Sequence, residues 1–192
     1  MDRLDLSLEK LDGKNEGEPE SAPTPMVARC LRLRRVPIGE LTQGDVRLLL
    51  GQKIGAKYLL PIAMGWLRED PLLEVEFYPG DLLLHVARLG KQAWAEFPNE
   101  QAECASFLLS CLAKCDKRDP FDRAWFLLEV AKLNPDAWSR FPQVHVTVAD
   151  RLRSWVSSTA RAEVNKNQWL ELKHYADRLS ERFPPSNPGI GT

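Results

Sequence analysis

Val144-His145-Val146-Thr147-Val148 decides the fold class, because it is the one stretch of this chain that alternates like a β-strand. Read alone, apolar residues at every second position suit a half-buried strand. Read outward, Val148, Leu152 and Trp155 step by four and then three residues, which places them on one face of a helix. The longer pattern outweighs the shorter one, and the segment is assigned to a helix. Further along, Trp169, Leu172, Ala176, Leu179 and Phe183 form a seam at helical spacing with charges elsewhere. With its single β signal reassigned, the chain reads as all-α.

Upstream the punctuation is also helical. Ser7 to Leu11 suits a helical turn, and Gly13 to Pro25 reads as a linker or surface strap. Thr42 with Asp45 three residues later resembles a capping box, after which Val46, Leu49, Leu50 and Ile54 share one face. Gly55 relaxes that helix, and Leu59 to Leu67 continues or restarts it with Pro61 near a first turn. Pro79-Gly80 marks a turn, Asp81 is expected to cap the helix through Leu84 to Leu89, and Gly90 stops it. A short helix around Trp94 ends at Pro98, Asn99 caps a long one to about Cys115, and Asp119-Pro120 starts another through Leu133. Seven to nine helices in antiparallel pairs are expected.

An internal echo accompanies these pairs. Ala93-Trp94-Ala95-Glu96-Phe97-Pro98 returns as Ala137-Trp138-Ser139-Arg140-Phe141-Pro142, an offset of 44 residues. The same offset carries Cys104, Leu108, Cys111 and Trp125 onto Val148, Leu152, Trp155 and Trp169. That period suits HEAT-like helix-pair repeats over residues 55–184, in which stacked pairs share a core. Coincidence between amphipathic helices of similar length is the competing account. The expected organisation is an acidic, partly flexible leader or strap over residues 1–25, a single helical domain over 26–184 and a disordered tail over 185–192.

The whole chain has 192 residues, 44% of them hydrophobic and 28% charged, enough for one sizeable core. Its formal net charge of −1 lacks the basic footprint of a general nucleic-acid binder. No apolar run approaches the roughly 20 residues that span a bilayer, and Met1 to Pro25 is too polar for a secretory core. A cytoplasmic protein without membrane contact is expected. Cys104, Cys111 and Cys115 share one helical face with Leu108, which reads as buried reduced thiols rather than a metal site. The fourth cysteine, Cys30, stands apart.

The motifs of catalysis are missing. Gly51, Gly55, Gly80 and Gly90 are scattered helix breaks, not a phosphate-cradling loop. His85, His145 and His174 are isolated in sequence, and His85, between Leu84 and Val86, suits a hydrogen-bonded structural role. No catalytic residue, cofactor or metal is assigned, and an enzyme is not expected. Charge is distributed unevenly instead. Residues 1–25 carry a net charge of −4, and Arg29, Arg32, Arg34 and Arg35 follow, as a solvated face or as ion-pair partners of that leader. From Arg68 to Asp81 a single Arg faces Glu69, Asp70, Glu74, Glu76 and Asp81, with Phe77 and Tyr78 inside the segment. Such a segment is usually soluble surface. Carrying aromatics, it also suits the grip of a basic protein, because charge speeds encounter and a ring anchors. Glu69, Asp70, Glu74, Glu76, Tyr78 and Asp81 are the candidate partner-binding residues.

Several motifs then occur in a recognisable order. Ser7-Leu8-Glu9-Lys10-Leu11 and Gly17-Glu18-Pro19 lead to Leu31-Arg32 and Val36-Pro37, and then to the run from Asp45 to Gly55. Leu60-Pro61-Ile62-Ala63, Asp70-Pro71-Leu72 and Phe77-Tyr78-Pro79-Gly80-Asp81-Leu82-Leu83 follow. This series resembles the immunity proteins of bacterial contact-dependent growth inhibition systems, from about residue 7 to Trp94. The resemblance implies a small cytoplasmic antitoxin that binds a cognate toxin domain, often a nuclease, and blocks it stoichiometrically. After Trp94 the chain departs from the pattern. A helical-repeat module for protein–protein interaction, unrelated to toxins, is the alternative.

Overall fold

The computed structural model describes residues 3–115, 119–158 and 164–184, and for residues 120 and 121 the backbone alone. The expected tail over 185–192 lies outside the described residues. Among the described residues there are ten α-helices, eight of them of seven residues or more, and no strand. The fold is all-α. The chain divides into two compact units, Met1–Glu100 and Gln101–Thr192.

The first unit begins with α1 (Leu8–Asp12), capped by the Ser7 hydroxyl, which accepts from the Lys10 N–H. The leader is built into this unit. Leu8 is fully buried, and the Leu6 and Arg34 carbonyls accept from Ile38 N–H and Glu9 N–H, both at 2.9 Å. Ser7 and Pro37 form an isolated antiparallel bridge. Two arginines of the cluster, Arg34 and Arg35, serve the leader as ion-pair partners. Arg34 reaches Asp12 at 3.5 Å and Glu16 at 3.6 Å, while Arg35 reaches Glu9 at 3.2 Å and Glu18 at 2.8 Å.

Between them lies α2 (Pro25–Leu33), a helix inside a stretch that sequence reasoning read as strap and basic cluster. Thr24 caps it by accepting from Val27 N–H, and Pro25 occupies its first turn, where no N–H is needed. Next, α3 (Gln43–Gly51) starts at the expected capping box. The Thr42 hydroxyl accepts from Asp45 N–H and the Asp45 carboxylate from Thr42 N–H, each at 3.2 Å. Thr42→Ala is expected to cost about 1 kcal/mol, read as a lower urea midpoint, and an unchanged midpoint would show the box to be dispensable.

Gly55 separates α3 from α4 (Ala56–Glu69) with a positive φ of 67°. A Cβ there would sit 2.7 Å from a methyl of buried Leu8, so this turn also makes room for the leader. Pro61 is corrected from the first turn to the interior of α4. Its missing N–H would have bonded the Lys57 carbonyl, and both residues are exposed, so water can serve that carbonyl instead. The short helices α5 (Asp81–Ala87) and α6 (Lys91–Glu96) complete this half. α3, α4 and α5 pack on one another and bury Leu49, Leu50, Leu59, Leu60, Leu82 and Leu83.

α7 (Pro98–Lys114) straddles the division and buries Cys104, Leu108 and Cys111 along one face, with Cys115 buried just beyond. Burial raises the Cys104 thiol far above its ordinary pKa and keeps it protonated. In the second unit α8 (Pro120–Ala131), α9 (Gln143–Ser157) and α10 (Lys166–Arg182) pack against one another. The Val144–Val148 stretch is helical, with Val144, Val148, Leu152 and Trp155 buried. His145 is also buried, 3.1 Å from the Leu133 carbonyl and stacked on Phe183. At the 44-residue offset the buried positions 104, 108 and 111 meet buried 148, 152 and 155, while α8 and α10 start 46 residues apart. Among the described residues no helix is long and apolar enough to cross a membrane.

Candidate functional site

The segment joining α4 to α5 is organised from beneath by one carboxylate. Gly80, with a φ of 90°, is the N-cap of α5, so Asp81 is its first residue and not, as the sequence suggested, its cap. Freed from capping, the Asp81 side chain turns back under the loop. Its Oδ1 accepts from Val75 N–H at 3.0 Å, and its Oδ2 accepts from Glu76 N–H at 3.1 Å and Phe77 N–H at 3.2 Å. Asp81 is 0% exposed. Three consecutive amides fixed by one buried anion make this loop a built structure, since buried polar groups need partners.

Arg47 extends from α3 toward the same place, and its side chain is only 7% exposed. One guanidinium nitrogen, Nη2, donates to Glu76 Oε2, and Nε lies 3.6 Å from Asp81 Oδ2. The other, Nη1, lies 3.2 Å from His85 Nε2, while His85 Nδ1 is 2.7 Å from the Asp81 carbonyl. A carbonyl can only accept, so Nδ1 carries the imidazole proton and Nε2 accepts from Arg47. Burial lowers the His85 pKa, the Asp81 carbonyl opposes this, and the nearby Arg47 and Arg88 charges lower it further. His85 is therefore a neutral acceptor near pH 7. Gly51 lets the ring approach α3, because a Cβ there would stand 2.8 Å from His85 Cδ2.

Arg29, from α2, closes the network by donating to Asp45 at 3.0 Å and standing 3.9 Å from Glu76. Burial acts to raise the Asp45 carboxyl, but hydrogen bonds from Thr42 and Arg29 outweigh it and hold the pKa below the ordinary carboxylate value. Above the network, the Arg47 guanidinium carbon lies 4.5 Å from the centroid of the Phe77 ring.

The six sequence candidates divide into outward and inward groups. Glu69, Asp70 and Glu74 are exposed, and Asp70 Oδ1 also accepts from Leu72 N–H at 2.8 Å. Glu76 is held by Arg47, Asp81 is wholly inside, and Tyr78 is half-buried, its hydroxyl pKa raised by burial. Sequence reasoning left out Arg47, Arg29, Phe77 and His85 as members of one cluster. The available signal was an Arg at position 47 within the apolar run Val46 to Leu50. Among the described residues no group of three or more His, Cys, Asp or Glu could hold a metal ion.

The arrangement stiffens residues 75–77 and presents an exposed aromatic ring from a carboxylate-rich segment. No curated protein and no solved structure matches the chain. Residues 10–104 match the family model of CDI immunity proteins, a span that includes every residue of the Arg47 network. It is the CDI immunity proteins that this chain resembles, over about half of its length.

Proposed function

We propose that the chain is an immunity protein that binds the C-terminal toxin domain of a contact-dependent growth inhibition effector and blocks it by occupancy. The family match over residues 10–104 carries this reading. The outward carboxylates Glu69 and Asp70 at the end of α4, with Glu74 just before the stiffened residues 75–77, give the contact its chemistry. Their negative field draws in a basic partner and steers its approach. A nuclease is one such partner, because its active face must attract phosphates. Under this reading the chain acts in the cytoplasm, performs no catalysis, needs no cofactor, and touches neither nucleic acid nor membrane.

Co-expression with the toxin domain encoded directly upstream of its gene tests the proposal. Cells carrying both are expected to grow at the rate of cells carrying neither. Growth arrest despite a soluble immunity chain, or recovery of only non-toxin partners, contradicts it.

A further inference from the structure

Phe77 is 66% exposed, more than Leu4 at 45%, Met26 at 52%, Val27 at 39% or Leu170 at 54%. A single exposed apolar side chain is ordinary on a protein surface. This one differs in how it is held. Its N–H is bonded by Asp81, the preceding residue is fixed by Arg47 and Asp81 together, and its ring lies against the Arg47 guanidinium. A buried ionic network is a costly device for a ring whose own burial contributes little to folding. The same rigidity reduces the ordering entropy of docking that ring into another protein.

The surroundings select the partner's chemistry. Glu69, Asp70 and Glu74 form no ion pair among the described residues, whereas Arg47 and Arg29 are engaged with Glu76, Asp81 and Asp45. The segment that carries the exposed ring thus also carries three exposed carboxylates outside any described ion pair. Resting on the toxin-binding reading, we propose that Phe77 is the anchor of the contact, entering an apolar pocket of the toxin domain rimmed by Lys and Arg. Truncation of such an anchor typically weakens binding about 30-fold or more, while rim charges act mainly on association rate.

The probe is the adjacent toxin domain, inactivated by substitution and titrated against the full chain by surface plasmon resonance. Phe77→Ala is expected to weaken binding about 30-fold through faster dissociation, with unchanged amide exchange at residues 75–77. The triple variant Glu69→Gln, Asp70→Asn, Glu74→Gln is expected to slow association and flatten its salt dependence. Tight wild-type binding with Phe77→Ala within threefold of it would overturn the anchor and leave the proposed function standing. Loss of affinity together with faster exchange at 75–77 would also overturn it, since the ring would then act by ordering the loop. Absence of wild-type binding would remove both readings.

Discussion

Asp81→Ala is expected to lower the unfolding free energy by about 3–5 kcal/mol, the range for breaking a buried charged pair. Two losses combine. The amides of Val75, Glu76 and Phe77 lose their common acceptor, and Arg47 loses the carboxylate 3.6 Å from its Nε. Buried donors left without acceptors incur their full desolvation cost. Asp81→Asn should fall between alanine and wild type, because one amide oxygen cannot replace two carboxylate oxygens. Urea unfolding of the full chain checks the magnitude, and amide exchange checks the place, with protection lost first at residues 75–77. A change below 1 kcal/mol would show that the loop does not depend on this residue.

Arg47→Met should cost about 3 kcal/mol by leaving Asp81 buried without its cation. Methionine fills much of the same volume, so the loss reports charge and hydrogen bonding more than a cavity. Arg47→Lys should recover little, since a single ammonium cannot reach Glu76 and His85 together with the geometry of a guanidinium fork. The Arg47→Met, Asp81→Asn double variant should be less destabilised than the sum of the two singles by more than 1 kcal/mol, the coupling expected for residues in one network. Strict additivity would separate the two residues energetically. Both predictions are larger than that for Thr42→Ala because the cap is exposed to water, whereas Arg47 and Asp81 are buried.

Local features of this fold were legible because they are encoded locally. The Ser7 cap, the Thr42–Asp45 box and the helical stepping of Val148, Leu152 and Trp155 each depend on residues within a few positions. The thiol stripe of α7 followed from spacing alone, and all of its members are buried. Thr24-Pro25 is a good start signal for α2, but the polar composition before it and the arginines within it mask a short helix. Pro61 lies inside α4 and not in its first turn, because the helix starts after Gly55, whose turn is set against Leu8.

The candidate site shows the limit more sharply. Charge composition located the right segment, but composition does not reveal which carboxylates are paired. Arg47 lies 29 residues from Glu76 and 38 from His85, separations that no periodicity links. Asp81 stands after Pro79-Gly80, where capping is the ordinary local role, yet it is held inward by the amides of residues 75–77 and lies beside Arg47 of α3. Thus Glu69, Asp70 and Glu74 remain at the surface, while Glu76 and Asp81 support it. Phe77 gains its meaning only from Arg47 behind it.

The most direct measurement is calorimetric titration of the full chain with the inactivated toxin domain proposed as its partner. A one-to-one complex is expected, with affinity that falls as salt is raised from about 0.05 to about 0.5 M and the Debye length shortens. No heat of binding at micromolar concentrations, with both proteins folded, would contradict it.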